Sequence, residues 1–458
     1  MPLQPSATTA IDSILYRDAF GTPAMRAIFS DQALIGRYVE VEVALARAEA
    51  RCGVIPLEAA EAIAAKADPA ALDMDALRQE TDNVGYPILP LVHQLAAQCG
   101  EAGRWLHWGA TTQDIMDTAV VLQIRDALAL VEADIAALRT ILADLALRHR
   151  DTPMAGRTHL QHALPITFGY KVAIWLSMID RHAERLQQIK PRVLVGQFAG
   201  AAGTLASLGD RGLEVQRALM EELGLATPAA TWHVARDGFG EAVNLLALIT
   251  ASLGKVAYDI MLLSSTEFGE VQEPFVPGRG ASSTMPQKRN AISSELMLAC
   301  SKAVQRHAGL MMDAMVQDLE RATGPWHAEW LAIPDSFMLT AAALHQAKFA
   351  LGGLVVDAGR MAANLGMSRG LIVAEAVMMG LAPHTGRQDA HDLVYAACRV
   401  ANDTGCSLAE ALLQQPGITA HLDPPTIARL TDPANYLGAA PAMVDRVLAS
   451  AARAEPGR

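Results

Sequence analysis

Apolar residues recur at three- and four-residue steps along most of this chain. Leu34, Tyr38, Val41, Leu45 and Ala48 mark the first such run, which predicts amphipathic helix from about Asp31 to Lys66. A second run opens after Thr111-Thr112-Gln113-Asp114 and carries Val120, Leu122, Ile124, Leu128, Ile135, Leu138, Ile141 and Leu145 on to about Arg148. A third follows Pro165, a residue suited to a first helical turn, and extends to about Lys190. The fourth covers roughly Gly240 to Thr266 and the fifth Ile292 to Arg321. Most are well beyond the usual helix length of about 12 residues. Leu245-Leu246-Ala247-Leu248-Ile249 and Leu310-Met311-Met312 are apolar on more than one face, so their helices are buried on several sides. Alternating, strand-like stretches are nearly absent. The pattern predicts an all-α fold whose long central helices form a bundle and also the core of an oligomer.

Length divides this picture. A chain of 458 residues exceeds what one hydrophobic core usually serves. Three segments are expected: an N-terminal helical domain over 1–108, a central helix-bundle domain over 109–365 and a C-terminal helical domain over 366–458. Trp105 to Gly109 reads as the first hand-over. Beyond the second boundary Gly370, Gly380 and Pro383 interrupt shorter helices.

Composition narrows the function classes. Hydrophobic residues make up 51% of the chain and aromatic residues only 5%, so the core is mostly small and aliphatic, which suits close helix packing. A net charge of -12 argues against nucleic acid as a partner and leaves an anionic small substrate open. Cys52, Cys99, Cys300, Cys398 and Cys406 are scattered without a CxxC pair and read as reduced thiols. No metal and no organic cofactor is indicated. No run reads as a membrane span, and Met1 to Pro5 lacks the basic start of a leader; a cytoplasmic protein is expected.

Three polar islands stand at helix boundaries. Thr111, Thr112, Gln113 and Asp114 open a long helix, where backbone N–H groups and hydroxyls can bind a carboxylate; the same threonine can serve as a plain cap. Arg157, Thr158, His159 and Gln161 gather ahead of the next helix, with His159 a potential proton donor. The third island, Gly280-Ala281-Ser282-Ser283-Thr284-Met285-Pro286-Gln287-Lys288-Arg289-Asn290, follows Pro277 and Gly278 and has the makings of a mobile loop. On residue types alone it also fits a simple Gly/Ser turn. Asn290 is placed to cap the following helix, and Glu295 lies on its first turns. A fourth, weaker cluster is Trp232 to Asp237, in which Arg236 could grip a second carboxylate through two hydrogen bonds.

These islands, in this order, resemble the signature regions of the fumarase/aspartase superfamily. The loop is similar to its G-S-S-x-M-P-x-K-x-N-P signature through Ser282, Ser283, Met285, Pro286, Lys288 and Asn290. The segment Thr158 to Gln161 resembles its T-H-x-Q region and Thr111 to Asp114 its T-S-x-D region. Gly386 to His391 and Tyr436-Leu437-Gly438 resemble the C-terminal domain of the adenylosuccinate lyase branch. Gly109 to Ala119, Trp232 to Asp237 and Thr266 to Val271 look most like 3-carboxy-cis,cis-muconate cycloisomerases.

The resemblance implies a homotetramer with each active site assembled from three subunits, and anti addition–elimination on a small di- or tricarboxylate. It implies Ser282 as the base, with its alkoxide favoured by Lys288 and loop backbone dipoles, and His159, oriented by Glu295, as the acid or its relay. Lys288 and Asn290 would stabilise an enolate-like intermediate. Thr111, Thr112, Thr158, Gln161, Ser283, Met285 and Arg236 would contact substrate. Two activities fit: a lyase releasing fumarate by C–N or C–O cleavage, or a lactonising cycloisomerase; a catalytically silent structural relative is the third reading. Ala281 and Ala291 depart from the signature's leading glycine and final proline. His159 is a lyase-like feature in a cycloisomerase-like frame. The absence of histidine from Asp82 to Tyr86 disfavours a nucleotide substrate.

Overall fold

In the computed structural model the described residues are 9–321 and 323–453; the Met1–Pro5 start discussed above and the end of the tail lie outside them. The chain is mostly helical. Its long elements are Thr112–Arg148, Phe168–Val193, Asp237–Leu263, Ile292–Ala314 and Pro325–Gly352. The first has 37 residues, a rod of about 55 Å at the helical rise. Ile115, Val121, Leu122, Ile124, Leu128, Ile135, Leu138 and Leu145 are all buried within the chain, which accounts for the helix's apolar character on several faces.

Two expected helices are shorter than the periodicity predicts. The first run breaks into Asp31–Arg51 and Leu57–Lys66, because Gly53 takes a left-handed φ of 71° and Pro56 lacks the N–H needed to continue. The fifth stops at Ala314 and leaves Arg321 in an irregular segment.

The strands escaped prediction. Pro153–Thr158 and Gln161–Thr167 pair antiparallel as a hairpin, and Pro165, expected at a helix start, lies in the second strand opposite Ala155. The helix begins three residues later, at Phe168. A bulge falls between Ala155 and Arg157, and a Cβ on Gly156 would lie 2.6 Å from the Leu164 carbonyl oxygen, so only glycine fits. A second ladder of two residues joins Val271–Gln272 to Val355–Val356.

Compactness groups the chain into two units. One comprises Met1–Ile135, His182–Gly254 and Leu296–His345; the other comprises Ala136–Arg181, Lys255–Glu295 and Gln346–Arg458. In the second unit Val377, Leu381, Val394, Leu408, Leu412 and Ile427 form the core of the C-terminal helices. A smaller cluster of Ala155, Leu365, Ile372, Val373 and Ala376 seats the hairpin on that region.

One helix, Asp237–Leu263, is long and apolar enough to cross a membrane by length and composition, contrary to the sequence expectation. Half of its most apolar window is buried inside the structure, as a bundle's core helix requires.

Candidate active site

The serine loop is shaped by its own backbone. Gly280 has φ 69°, its carbonyl accepts the Asn290 N–H at 3.0 Å, and an added Cβ would lie 2.5 Å from the Asn290 carbonyl oxygen. Glycine is therefore required where the two ends of the loop close. Inside that ring Ala281 and Arg289 form an isolated antiparallel bridge. Ser282 Oγ accepts the Met285 N–H at 3.0 Å and the Thr284 N–H at 3.3 Å. Two donors aimed at one hydroxyl oxygen favour its anionic form, the feature a serine base needs. Ser283, Met285 and Lys288 are exposed on the same loop, and Asn290 is partly buried.

Asn290 does not cap the following helix. Glu273 does so from across the loop, accepting the Ser293 N–H at 3.1 Å, the Ser294 N–H at 2.8 Å and the Ser294 hydroxyl at 2.7 Å. A carboxylate at a helix N-terminus is well placed for both the free N–H groups and the helix dipole. Ala291, standing where the signature has proline, thus precedes a helix already fixed from elsewhere. Arg279 reinforces the base of the loop, donating to Ser293 Oγ at 2.6 Å and Gln346 Oε1 at 2.5 Å, with its guanidinium 4.2 Å from the centre of the Phe349 ring.

His159 sits at the tip of the hairpin, where Thr158 pairs with Gln161 across the two-residue turn. Both turn residues are left-handed, with φ 51° at His159 and 63° at Leu160. Such a turn is normally built from Asn-Gly, so two ordinary side chains here store strain, and strain of this kind gathers at functional sites. Thr158, His159, Leu160 and Gln161 are all exposed. The strand beneath is anchored: Arg157 donates to both oxygens of the buried Glu270 at 3.0 and 2.6 Å and lies 4.6 Å from the centre of the Phe268 ring. Asn364 adds a bond to Glu270 at 2.8 Å. Exposed chemistry thus rests on a buried bidentate ion pair.

Thr111 lies at the N-terminus of the Thr112–Arg148 helix. Asp114 accepts its N–H at 3.0 Å and takes three further bonds, from Ala199 N at 3.0 Å, Gly200 N at 2.9 Å and His233 Nε2 at 2.8 Å. Asp114 is therefore a buried fastening for the helix start, which leaves Thr111 and Thr112 half-exposed. Arg321 donates to the Thr111 hydroxyl, bringing a guanidinium to a helix end that already favours anions. Sequence reasoning missed Arg321 because it was absorbed into a helix that ends at Ala314. Its place beside Asp318, Glu320 and Gly324 in a charged, glycine-containing stretch was the available signal.

Arg236 requires a correction. It is buried and already held by two protein carboxylates: Asp117 at 2.7 and 2.9 Å, and Glu329 at 2.8 and 2.5 Å. Burial alone would lower its pKa; the two carboxylates outweigh this and hold it above its ordinary value. With both acids in its fork, it is not the second carboxylate clamp expected from sequence. Its neighbour His233 is likewise buried and bonded to Asp114.

Among the described residues no hydrogen bond joins Ser282, His159 and Glu295. Glu295 is exposed on the first turn after the loop, its N–H bonded to the Ala291 carbonyl. His159 and Lys288 are exposed, whereas Ser282, Thr111 and Thr112 are partly buried.

A model described as Lyase matches residues 18–305, and one described as Adenylosuccinate lyase C-terminus matches 370–447. The 3-carboxy-cis,cis-muconate cycloisomerase of Pseudomonas aeruginosa is 47% identical over 95% of this chain and 96% of its own. Trans-aconitate decarboxylase 1 of Mycosarcoma maydis is 47% identical over 94% and 88%. The N-acetyl-S-(2-succino)cysteine lyase of Dickeya dadantii is 41% identical over 96% and 97%. The crystal structure of a fumarate lyase from Mesorhizobium sp. BNC1 superposes with a TM-score of 0.89 at 57% identity, covering 94% and 98%. Relatives of similar closeness thus carry different reaction names on one frame. From the loop signature, the hairpin and these matches together, the chain is an enzyme of the fumarase/aspartase superfamily, in the branch shared by adenylosuccinate lyases and 3-carboxy-cis,cis-muconate cycloisomerases.

Proposed function

We infer that this enzyme is a lyase that cleaves a substituted succinate, at a C–N or C–O bond, to fumarate by reversible anti β-elimination. The observation that carries the reading is His159 at the exposed tip of a strained, buried-anchored hairpin, which supports its role as the acid for a departing heteroatom. Ser282 removes the proton next to one carboxylate. The electron pair moves into that carboxylate as an enolate, then forms the carbon–carbon double bond as the bond to the leaving atom breaks. The leaving atom keeps that bond's electron pair and receives a proton from His159 or a group relayed by it.

The two N–H donors on Ser282 Oγ support its role as base. Lys288 and Asn290 carry charge stabilisation, which is worth about 3–4 kcal/mol per well-placed donor in such sites. Thr111, Thr112 and Gln161 hold carboxylate oxygens, with Thr158, Ser283 and Met285 beside the substrate; Arg321 takes the place first given to Arg236. As the superfamily resemblance implies, the reading includes a homotetramer whose sites combine three subunits, with the three-domain division 1–108, 109–365 and 366–458. Loop closure over substrate then excludes water.

The test is incubation of fumarate with a panel of amines and alcohols, following loss of fumarate absorbance, alongside the reverse reaction. Consumption of a carboxymuconate chromophore with no activity on any succinyl adduct would instead establish the cycloisomerase reading, which the Pseudomonas aeruginosa relative's name favours. Inertness toward both substrate classes would leave the silent structural relative.

A further inference from the structure

The buried triad Asp117–Arg236–Glu329 adjoins a cavity of about 280 Å³ that the reaction described above does not use. Its walls carry five aromatic side chains: Phe29, Tyr38, Phe239, Trp326 and Trp330. Both acids of the triad line it, whereas the arginine lies behind them, backed by Trp232 and Phe239 at 4.9 and 4.8 Å from their ring centres. One guanidinium against two carboxylates leaves the ionised triad with a net charge of -1. Among the described residues lining the cavity there is no lysine, arginine or histidine to balance that charge.

The rings are organised. Trp326 packs edge-to-face on Trp330 with centroids 5.3 Å apart, stacks on Tyr86 at 5.5 Å and donates its indole N–H to Asp117 at 3.3 Å. Trp330 is 37% exposed, so it stands at the rim rather than in the floor. A volume of this size is near the lower end for small-molecule sites. Aromatic faces present negative potential and attract desolvated cations, an attraction strengthened here by unbalanced carboxylate charge in a low-dielectric wall. A neutral apolar guest would gain the contact area and nothing from the charge. A metal ion would find every carboxylate oxygen already accepting from Arg236.

We propose that this cavity is a binding site for a small apolar organic cation, an alkylammonium or quaternary ammonium group. The assignment is independent of the reaction catalysed, because it is read by binding alone. Tryptophan fluorescence of the full-length enzyme is titrated with choline and, in parallel, with 3,3-dimethylbutan-1-ol, its neutral isostere. Choline is expected to give a saturable change and to bind at least about tenfold more tightly than the alcohol. Trp330→Leu, at the rim, and Glu329→Gln, which brings the triad to neutrality, are expected to lose most of that preference; circular dichroism checks that each is folded. Equal affinity for the two probes overturns the proposal in favour of a plain apolar cavity. Absence of binding by either probe overturns it outright, and so does unchanged choline binding in both folded variants.

Discussion

Replacing Arg236 by glutamine tests the central structural correction made above. Among the described residues the guanidinium is the one countercharge paired with Asp117 and Glu329, and all three side chains are at most 2% exposed. Removing one partner of a buried ion pair while leaving the other in place typically costs about 3–5 kcal/mol. Burial already pushes the Glu329 carboxyl up in the wild type, against the pull of Arg236. In Arg236→Gln at least one of the two acids is expected to take up a proton on folding. Its folded pKa then lies above its unfolded value, so the stability it contributes is present at low pH and is lost as pH rises. Each pH unit is worth about 1.4 kcal/mol per proton, so moving from about pH 7.5 to about pH 5.5 should recover roughly 2.7 kcal/mol of the deficit. The assay is the denaturant midpoint by far-ultraviolet circular dichroism, variant against wild type, at both pH values. A deficit below about 1 kcal/mol, or one unchanged between the two pH values, would refute the buried, uncompensated pair of acids.

Ser282→Ala is expected to lower turnover by orders of magnitude with substrate binding largely retained; equal activity in wild type and variant would remove Ser282 as the base. His159→Asn should impair elimination of a poor leaving group, such as an amine, far more than that of a good one. A uniform, negligible effect across leaving groups would sink the acid role. Arg321→Ala should raise KM for a dicarboxylate while leaving helix content unchanged, and an unaltered KM would exclude it from the carboxylate site. Glu49 is buried, neither of its carboxylate oxygens is hydrogen-bonded among the described residues, and burial followed by the charge of Glu42 pushes its pKa up to about 9. Its folded value exceeds its unfolded value, so it destabilises the fold progressively as pH rises from about 4.5 toward 9. Glu49→Gln should therefore gain stability at about pH 8, on the order of a few kcal/mol from linkage, and little at about pH 5; equal effects at both would contradict the shift.

Long-period signals were legible in the sequence. The Thr112–Arg148 helix ends where the apolar positions predict, and begins three residues before the expected start, because the polar Thr112-Gln113-Asp114 turn is itself helical. The hairpin was not. Pro153, Gly156 and Pro165 erase the alternation that marks a strand, and Pro165 before an apolar run imitates a helix start. Arg236 misled for a related reason: a lone arginine near a tryptophan says nothing of the two acids brought to it from distant helices. Glu273 was invisible as a cap because the helix it serves begins about twenty residues later. What pattern cannot reveal is pairing across sequence distance.

That cap has a consequence for motion. Glu273 joins one end of the serine loop to Ser293 and Ser294 at the other, 20 and 21 residues away, and the Gly280–Asn290 bond closes a smaller ring inside it. The serine segment is therefore an arc between pinned ends, not a tether swinging from a helix. Halving the length of a flexible closed loop removes about 0.6 kcal/mol of ordering entropy. Any closure over substrate becomes a change in the shape of a ring of fixed circumference, and the helix behind it keeps its N-terminus fastened throughout.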